Sequence, residues 1–153
     1  MTESNKSKWN GCLIAVAVVL ALGLMLLLGI WFLVHSALTS FEAYRDTMCI
    51  REDLVVRESQ LRYSPGFDAA MWCKFTAEAG DIGEVFDESR VDTAEFSGED
   101  YKFRVDWIKD AWWDVETVHL KGGDVEVNGS FMRVGYLDNG DGTLTVYIFW
   151  FEV

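Results

Sequence analysis

The sequence predicts an α+β protein: a single N-terminal transmembrane helix continuing into a stalk helix, then a small antiparallel β-sheet domain of about five strands. Three observations carry that expectation. Residues 13–34 contain no charge. The segment after them alternates charge sign and meets neither glycine nor proline until Pro65. Beyond Gly66 the apolar pattern changes to a period of two, punctuated by Asn-Gly turns. These features divide the 153 residues into a cytoplasmic tail (1–12), a transmembrane helix (13–34), a helical stalk (35–62) and an extracytoplasmic antiparallel-sheet domain (63–153).

The apolar run reads LIAVAVVLALGLMLLLGIWFLV, 22 residues that as a helix extend about 33 Å, the thickness of a bilayer's hydrocarbon core. Trp9 precedes it and Trp31 and Phe32 lie near its far end, where amphipathic rings favour the headgroup layer. A domain of this size could not wrap a helix that is apolar on every side. Lys6 and Lys8 resemble the n-region of a signal peptide, but the run is longer than an ordinary h-region. His35-Ser36-Ala37 also puts a bulky side chain where cleavage wants a small one, and Cys12 precedes the run, where lipid attachment would need it to follow. An uncleaved signal anchor is expected. Lys6 and Lys8 outweigh Glu3 on one flank, while Glu42 and Asp46 outweigh Arg45 on the other, so the N-terminus belongs inside and residues 35–153 outside. The lipid bilayer, through residues 13–34, is thus the first expected partner. With no charge in the span, transport or proton relay is not expected. Gly11, Ala15, Ala17 and Ala21 give a small-xxx-small hint of helix pairing.

In the stalk, Phe41, Tyr44, Met48 and Val55 fall near one helical face; a short strand beginning at Leu54-Val55-Val56 is the alternative. Tyr63-Ser64-Pro65-Gly66 makes a turn. Met71, Cys73, Phe75 and Ala77 alternate with Trp72, Lys74 and Thr76, and Tyr101, Phe103, Val105 and Trp107 alternate with Lys102, Arg104 and Asp106, as strands do. Between them, Asp81 with Glu84 and Asp92 with Glu95 have the spacing of capped helical turns. Asn128-Gly129 suits a type I′ hairpin, Asp138–Gly142 a second one, and the last strand runs from Thr143 to Val153. That strand is apolar on both faces, Leu144, Val146, Ile148 and Trp150 on one and Tyr147, Phe149 and Phe151 on the other, so it belongs in the sheet's centre with both sides covered.

The charge of −12 excludes a nucleic-acid partner, which needs a basic surface. Cys49 and Cys73 both fall in the outer part, where an oxidising compartment permits a disulfide clipping stalk to sheet; two buried free thiols are the alternative. There is no CxxC or Cys/His cluster for a metal and no nucleophile elbow for a hydrolase, and no cofactor is expected. His119 reads as an ordinary strand residue. Residues 78–100 hold nine acidic side chains and one basic, Arg90, without the ligand spacing of an EF-hand; a solvated acidic face is the simpler reading. Asn128-Gly129-Ser130 is a glycosylation sequon. Trp112-Trp113-Asp114 is the best candidate binding site, because adjacent bulky rings in a loop do not easily both point inward.

The order of apolar helix, helical extension and antiparallel sheet resembles type IV pilins and pseudopilins in outline. Those proteins carry a glutamate at the fifth position after their processing glycine; with Gly11 as that glycine, Val16 stands there, so processing and filament assembly are not implied. The expected function is a non-enzymatic, membrane-anchored interaction or accessory module with an unidentified protein partner. The alternative is an envelope glycan- or ligand-binding module using Trp112 and Trp113.

Overall fold

Without polar side chains to compete for its backbone groups, the apolar run becomes part of one continuous helix, α1 (Glu3–Leu38). The computed structural model of the protein describes residues 3–38, 40–103 and 108–152. From Val16 to Val34 every side chain of α1 is exposed, and mean hydropathy reaches 2.8. Helix α1 forms one compact unit (Met1–Leu38) and the rest of the chain another (Thr39–Val153), the head.

The head is built on a six-stranded, wholly antiparallel sheet in the order β1-β2-β6-β5-β4-β3. Its strands are β1 (Val56–Ser64), β2 (Ala70–Glu78), β3 (Gly98–Tyr101), β4 (Leu120–Val127), β5 (Ser130–Asp138) and β6 (Thr143–Glu152). After the β1–β2 hairpin the chain crosses to the far edge and returns as a meander, so β6 closes the sheet beside β2. Asn128 and Gly129 both take positive φ, 53° and 78°, as the two central residues of a type I′ turn must. The expected turns in the acidic stretch also form. Asp81 Oδ1 caps the 3₁₀ turn Ile82–Glu84, and Asp92 accepts from Ala94 N at the start of Thr93–Ser97.

The helical stalk over 35–62 is not what the chain forms. After α1 there is a single helical turn, α2 (Phe41–Tyr44), capped by Ser40, and then a run of turns before β1. Met48, Cys49 and Ile50 are consecutive and all buried, a pattern no amphipathic helix can produce. Cys49 takes φ 54° there, and the carbonyl of Cys49 accepts from Asp87 N at 2.9 Å. Residues 56–64 are the strand that the Leu54-Val55-Val56 alternative pointed toward. The strand expected around Tyr101–Trp107 ends at Tyr101; Lys102 and Phe103 are irregular, and Val105 and Trp107 lie outside the described residues.

Two cores flank the sheet. Face A carries Met71, Cys73, Phe75 and Ala77 of β2 with Leu144, Val146 and Ile148 of β6, and is covered by Phe41, Met48, Ile50, Val85, Phe86 and Phe96. Face B carries Ala70, Trp72, Tyr147 and Phe149, covered by Ile108, Trp113 and Val115. Strand β6 is therefore central and buried on both sides, as its sequence requires.

On face A the Thr93–Ser97 turn runs so close to β4 that a Cβ on Gly123 would collide with the Glu95 carbonyl. Gly123→Ala should therefore lower unfolding stability by about 1–3 kcal/mol, whereas Gly66→Ala, with nothing within 4 Å of its Cβ position, should leave it within about 0.5 kcal/mol of wild type. Chemical denaturation of the two variants measures both.

Candidate functional site

Centrally on face B, Lys74 of β2 stands opposite Tyr147 of β6. A lysine so placed, with its side chain largely covered, needs an acceptor, and a segment outside the sheet supplies one. Residues 108–118 cross this face as a strap. Trp113 N donates to the Asp110 carbonyl at 3.0 Å, and Thr117 donates through both N and Oγ1 to the Asp114 carbonyl, at 2.9 and 2.8 Å. These turns hold the Asp114 carboxylate over the sheet. Lys74 Nζ donates to Asp114 Oδ1 at 2.7 Å and Tyr147 Oη donates to the same oxygen at 2.8 Å. The ammonium also lies 5.1 Å from the centre of the Tyr147 ring. At the strap's outer end Asp110 Oδ2 pairs with Arg62 Nη1 at 3.0 Å.

Burial alone would raise the Asp114 carboxyl, but the hydrogen bonds from Lys74 and Tyr147 outweigh it and hold the group below the ordinary aspartate range. Burial and the bond to Asp114 together push the Tyr147 phenol above its ordinary value. At neutral pH the cluster is one cation, one carboxylate and one neutral phenol, all engaged with each other. Its chemistry is that of a clasp: charge-assisted bonds that fix a loop on a sheet.

Of the sequence candidates, Trp113 and Asp114 belong to this cluster, and Trp112 is packed behind it. Trp113 is 7% exposed and meets Tyr147 and Phe103 edge-on at 5.7 and 5.3 Å. Trp112 is half-buried, edge-on to Trp113 at 5.7 Å. Both rings of the pair thus turn toward the head, because the strap lies flat on the sheet. The indole N–H groups of Trp72 and Trp113 are buried with no hydrogen-bond partner among the described residues. Lys74 and Tyr147 were not singled out from sequence. The available signal was a lysine on the otherwise apolar side of a strand destined for the sheet interior.

The other candidates lie apart. Cys49 and Cys73 are buried free thiols in the face A core, so the disulfide weighed from their spacing is not formed; the turn bearing Cys49 is tied to the 85–87 loop, through Asp87 N and the Ile50–Phe86 bridge, instead of to β2. Burial raises both thiols, Cys73 most strongly. His119 is fully exposed just before β4, its Nδ1 3.3 Å from Asp100 Oδ1. Four of the acidic residues of 78–100 act locally, Asp81 and Asp92 capping turns, Glu84 accepting from Gly80 N and Asp87 binding Ser89, while Glu78 pairs with Arg57 and Glu99 with Lys121. Among the described residues, no three His, Cys, Asp or Glu side chains are grouped to hold a metal ion.

Because the native carboxyl of Asp114 is depressed, its contribution to stability is complete above about pH 4 and disappears as the medium falls through the lower native value. Tryptophan emission should therefore hold steady from about pH 8 to pH 5 and change only in stronger acid. Asp114→Ala should cost about 1–3 kcal/mol at pH 7, measured by urea unfolding, and should flatten the acid-side loss. In the native head neither Cys49 nor Cys73 should react with a thiol reagent until denaturant is added. Comparison of the chain with protein-family models, with curated proteins and with solved structures found no match.

Proposed function

We propose that this protein is a single-pass membrane protein, N-terminus cytoplasmic, whose acidic head is an extracytoplasmic, non-enzymatic interaction or accessory module. The observation that carries the reading is the Val16–Val34 stretch of α1, uncharged, long enough to cross a bilayer and wholly exposed. Such a surface is stable in lipid and costly in water. The orientation draws on Lys6 and Lys8 at one flank, where basic residues tend to stay cytoplasmic.

The non-enzymatic part of the reading is supported by the cluster on face B. Its lysine, carboxylate and phenol are turned on one another, so none of the three is left free to act as a general base. Trp113 is committed to the second core, which removes one of the two stacking platforms on which glycan recognition would draw. What the head offers instead is a six-stranded sheet whose edge strand β1 carries exposed charged residues.

The full chain should stay with vesicles through an alkaline carbonate wash. A cysteine placed by Ser97→Cys should react with a membrane-impermeant maleimide on intact cells, and one placed by Ser4→Cys only after permeabilisation. Release by carbonate, or the opposite labelling pattern, would overturn the reading. Leu22→Arg with Leu26→Arg should abolish retention, since each arginine at mid-membrane costs about 2.5–3.5 kcal/mol.

A further inference from the structure

We infer that the head pairs with a second copy of itself along the outer edge of β1, joining two six-stranded sheets into one of twelve. This deepens the interaction-module reading by naming the partner. The edge pairing stands on the head alone, and its strength in a bilayer rests on the anchoring proposed above.

Strand β1 is nine residues long with a bulge at Arg57, lies at the end of the strand order and, among the described residues, pairs only with β2. Its other side presents backbone donors and acceptors with no described strand against them, which is the usual invitation to another strand. Arg57, Glu58, Ser59, Gln60 and Arg62 are exposed along it. Charges on an edge ordinarily repel newcomers, but here their spacing is self-complementary. In an antiparallel pair centred on Gln60, Glu58 of each copy faces Arg62 of the other, and Ser59 faces Leu61. Both ion pairs sit on face B, the side of Lys74 and Trp72, since Gln60 and Arg62 register with those residues. Sliding the partner by two residues loses both ion pairs. Slipping by one sets Arg57 against Arg62, or Glu58 against Tyr63, and turns one sheet over. Of these registers only the one centred on Gln60 satisfies the charges, so the same residues discriminate against generic strands. Among the described residues Glu58 has no ion-pair partner inside its own head, whereas Arg57 is held by Glu78 and Arg62 by Asp110.

The two-fold axis of the Gln60-centred pair runs perpendicular to the sheet, so face A of both heads points the same way. Confinement to one membrane raises the effective concentration of the partner. The small residues Gly11, Ala15, Ala17 and Ala21 allow the helices to meet as well.

The test uses the full chain in vesicles, with Cys12→Ser so that the buried Cys49 and Cys73 are the only native thiols. Gln60→Cys should form a covalent dimer on mild oxidation. Ser64→Cys should not, because its two copies lie eight residues apart in this register, about 26 Å. In the Gln60→Cys background, Glu58→Arg or Arg62→Glu alone places two like-charge pairs in the interface and should cut the dimer about tenfold. Reconstituting the two together should restore crosslinking between unlike chains, which a merely structural role of either residue cannot explain. Equal crosslinking at Gln60→Cys and Ser64→Cys, indifference to the single charge reversals, or failure of the mixed chains to recover would each overturn the proposal. Loss from vesicles on carbonate washing counts against the anchoring alone and is scored separately.

Discussion

A strand that is apolar on both sides cannot leave either side in water, and in this head that strand is β6. Val146, Ile148 and Leu144 face one way, Tyr147 and Phe149 the other, all buried. The consequence is that one sheet must acquire two covers, although among the described residues the head has no long helix to provide them. It takes them from irregular chain. The 79–97 connection contributes Ile82, Val85, Phe86, Val91 and Phe96 to face A, and the strap contributes Ile108, Trp113 and Val115 to face B. Connections of this length with little regular structure are uncommon in small domains. Here they serve as half-layers of the core, which explains why they are so rich in aromatic and branched residues.

Irregular covers have a cost that helices avoid: their backbone groups are not satisfied by their own neighbours. Cations help to fasten both covers. On face A, Arg45 Nη1 donates to the carbonyls of Arg51 and Leu54 at 2.8 and 3.1 Å, while its other nitrogens hold Glu42. That single side chain closes the turn that places Met48 and Ile50 against the sheet. On face B the direction is reversed, the cation Lys74 standing on the sheet and the acceptor Asp114 on the cover. The stability of both layers therefore depends on a few charge-assisted bonds as well as on apolar burial, and the two kinds of interaction are coupled, because the rings pack only where the bonds hold the backbone.

The parts of this architecture legible in the sequence are those written in side-chain period and turn chemistry. The apolar helix, the central β6, the Asn128-Gly129 hairpin and the capped turns at Asp81 and Asp92 all follow from rules that need only neighbours along the chain. Six strands form where about five were expected, β1 being the one read as helix. The covers were not legible, because a residue's place in them is fixed by a partner forty or more positions away: Asp114 by Lys74, Asp110 by Arg62. Trp112 and Trp113 show the same limit. Two adjacent rings suggest that one must face solvent, yet edge-on packing lets Trp113 enter the core while Trp112 leans on it. Cys49 and Cys73 share a core without bridging, which spacing alone could not decide.

The misreading of β1 has the most informative cause. Strands announce themselves through an apolar face, and β1 offers only Leu61, Tyr63 and Val56 to face A, each partly buried, while Glu58, Gln60 and Arg62 stand on the other side in water. A strand with so little to bury looks like a charged helix when charge alternation is the guide. It persists as a strand because β2 supplies its backbone partners without interruption from Glu58 opposite Thr76 to Ser64 opposite Ala70, with a bulge at Arg57 before Val56 meets Ala77. Its order is thus borrowed from the sheet interior, and its side chains at Glu58, Gln60 and Arg62 are released from core packing. Residues free of packing can be chosen for what approaches from outside. On an edge this long, the arrangement of Glu58 and Arg62 about Gln60 decides which strands are repelled and which one fits.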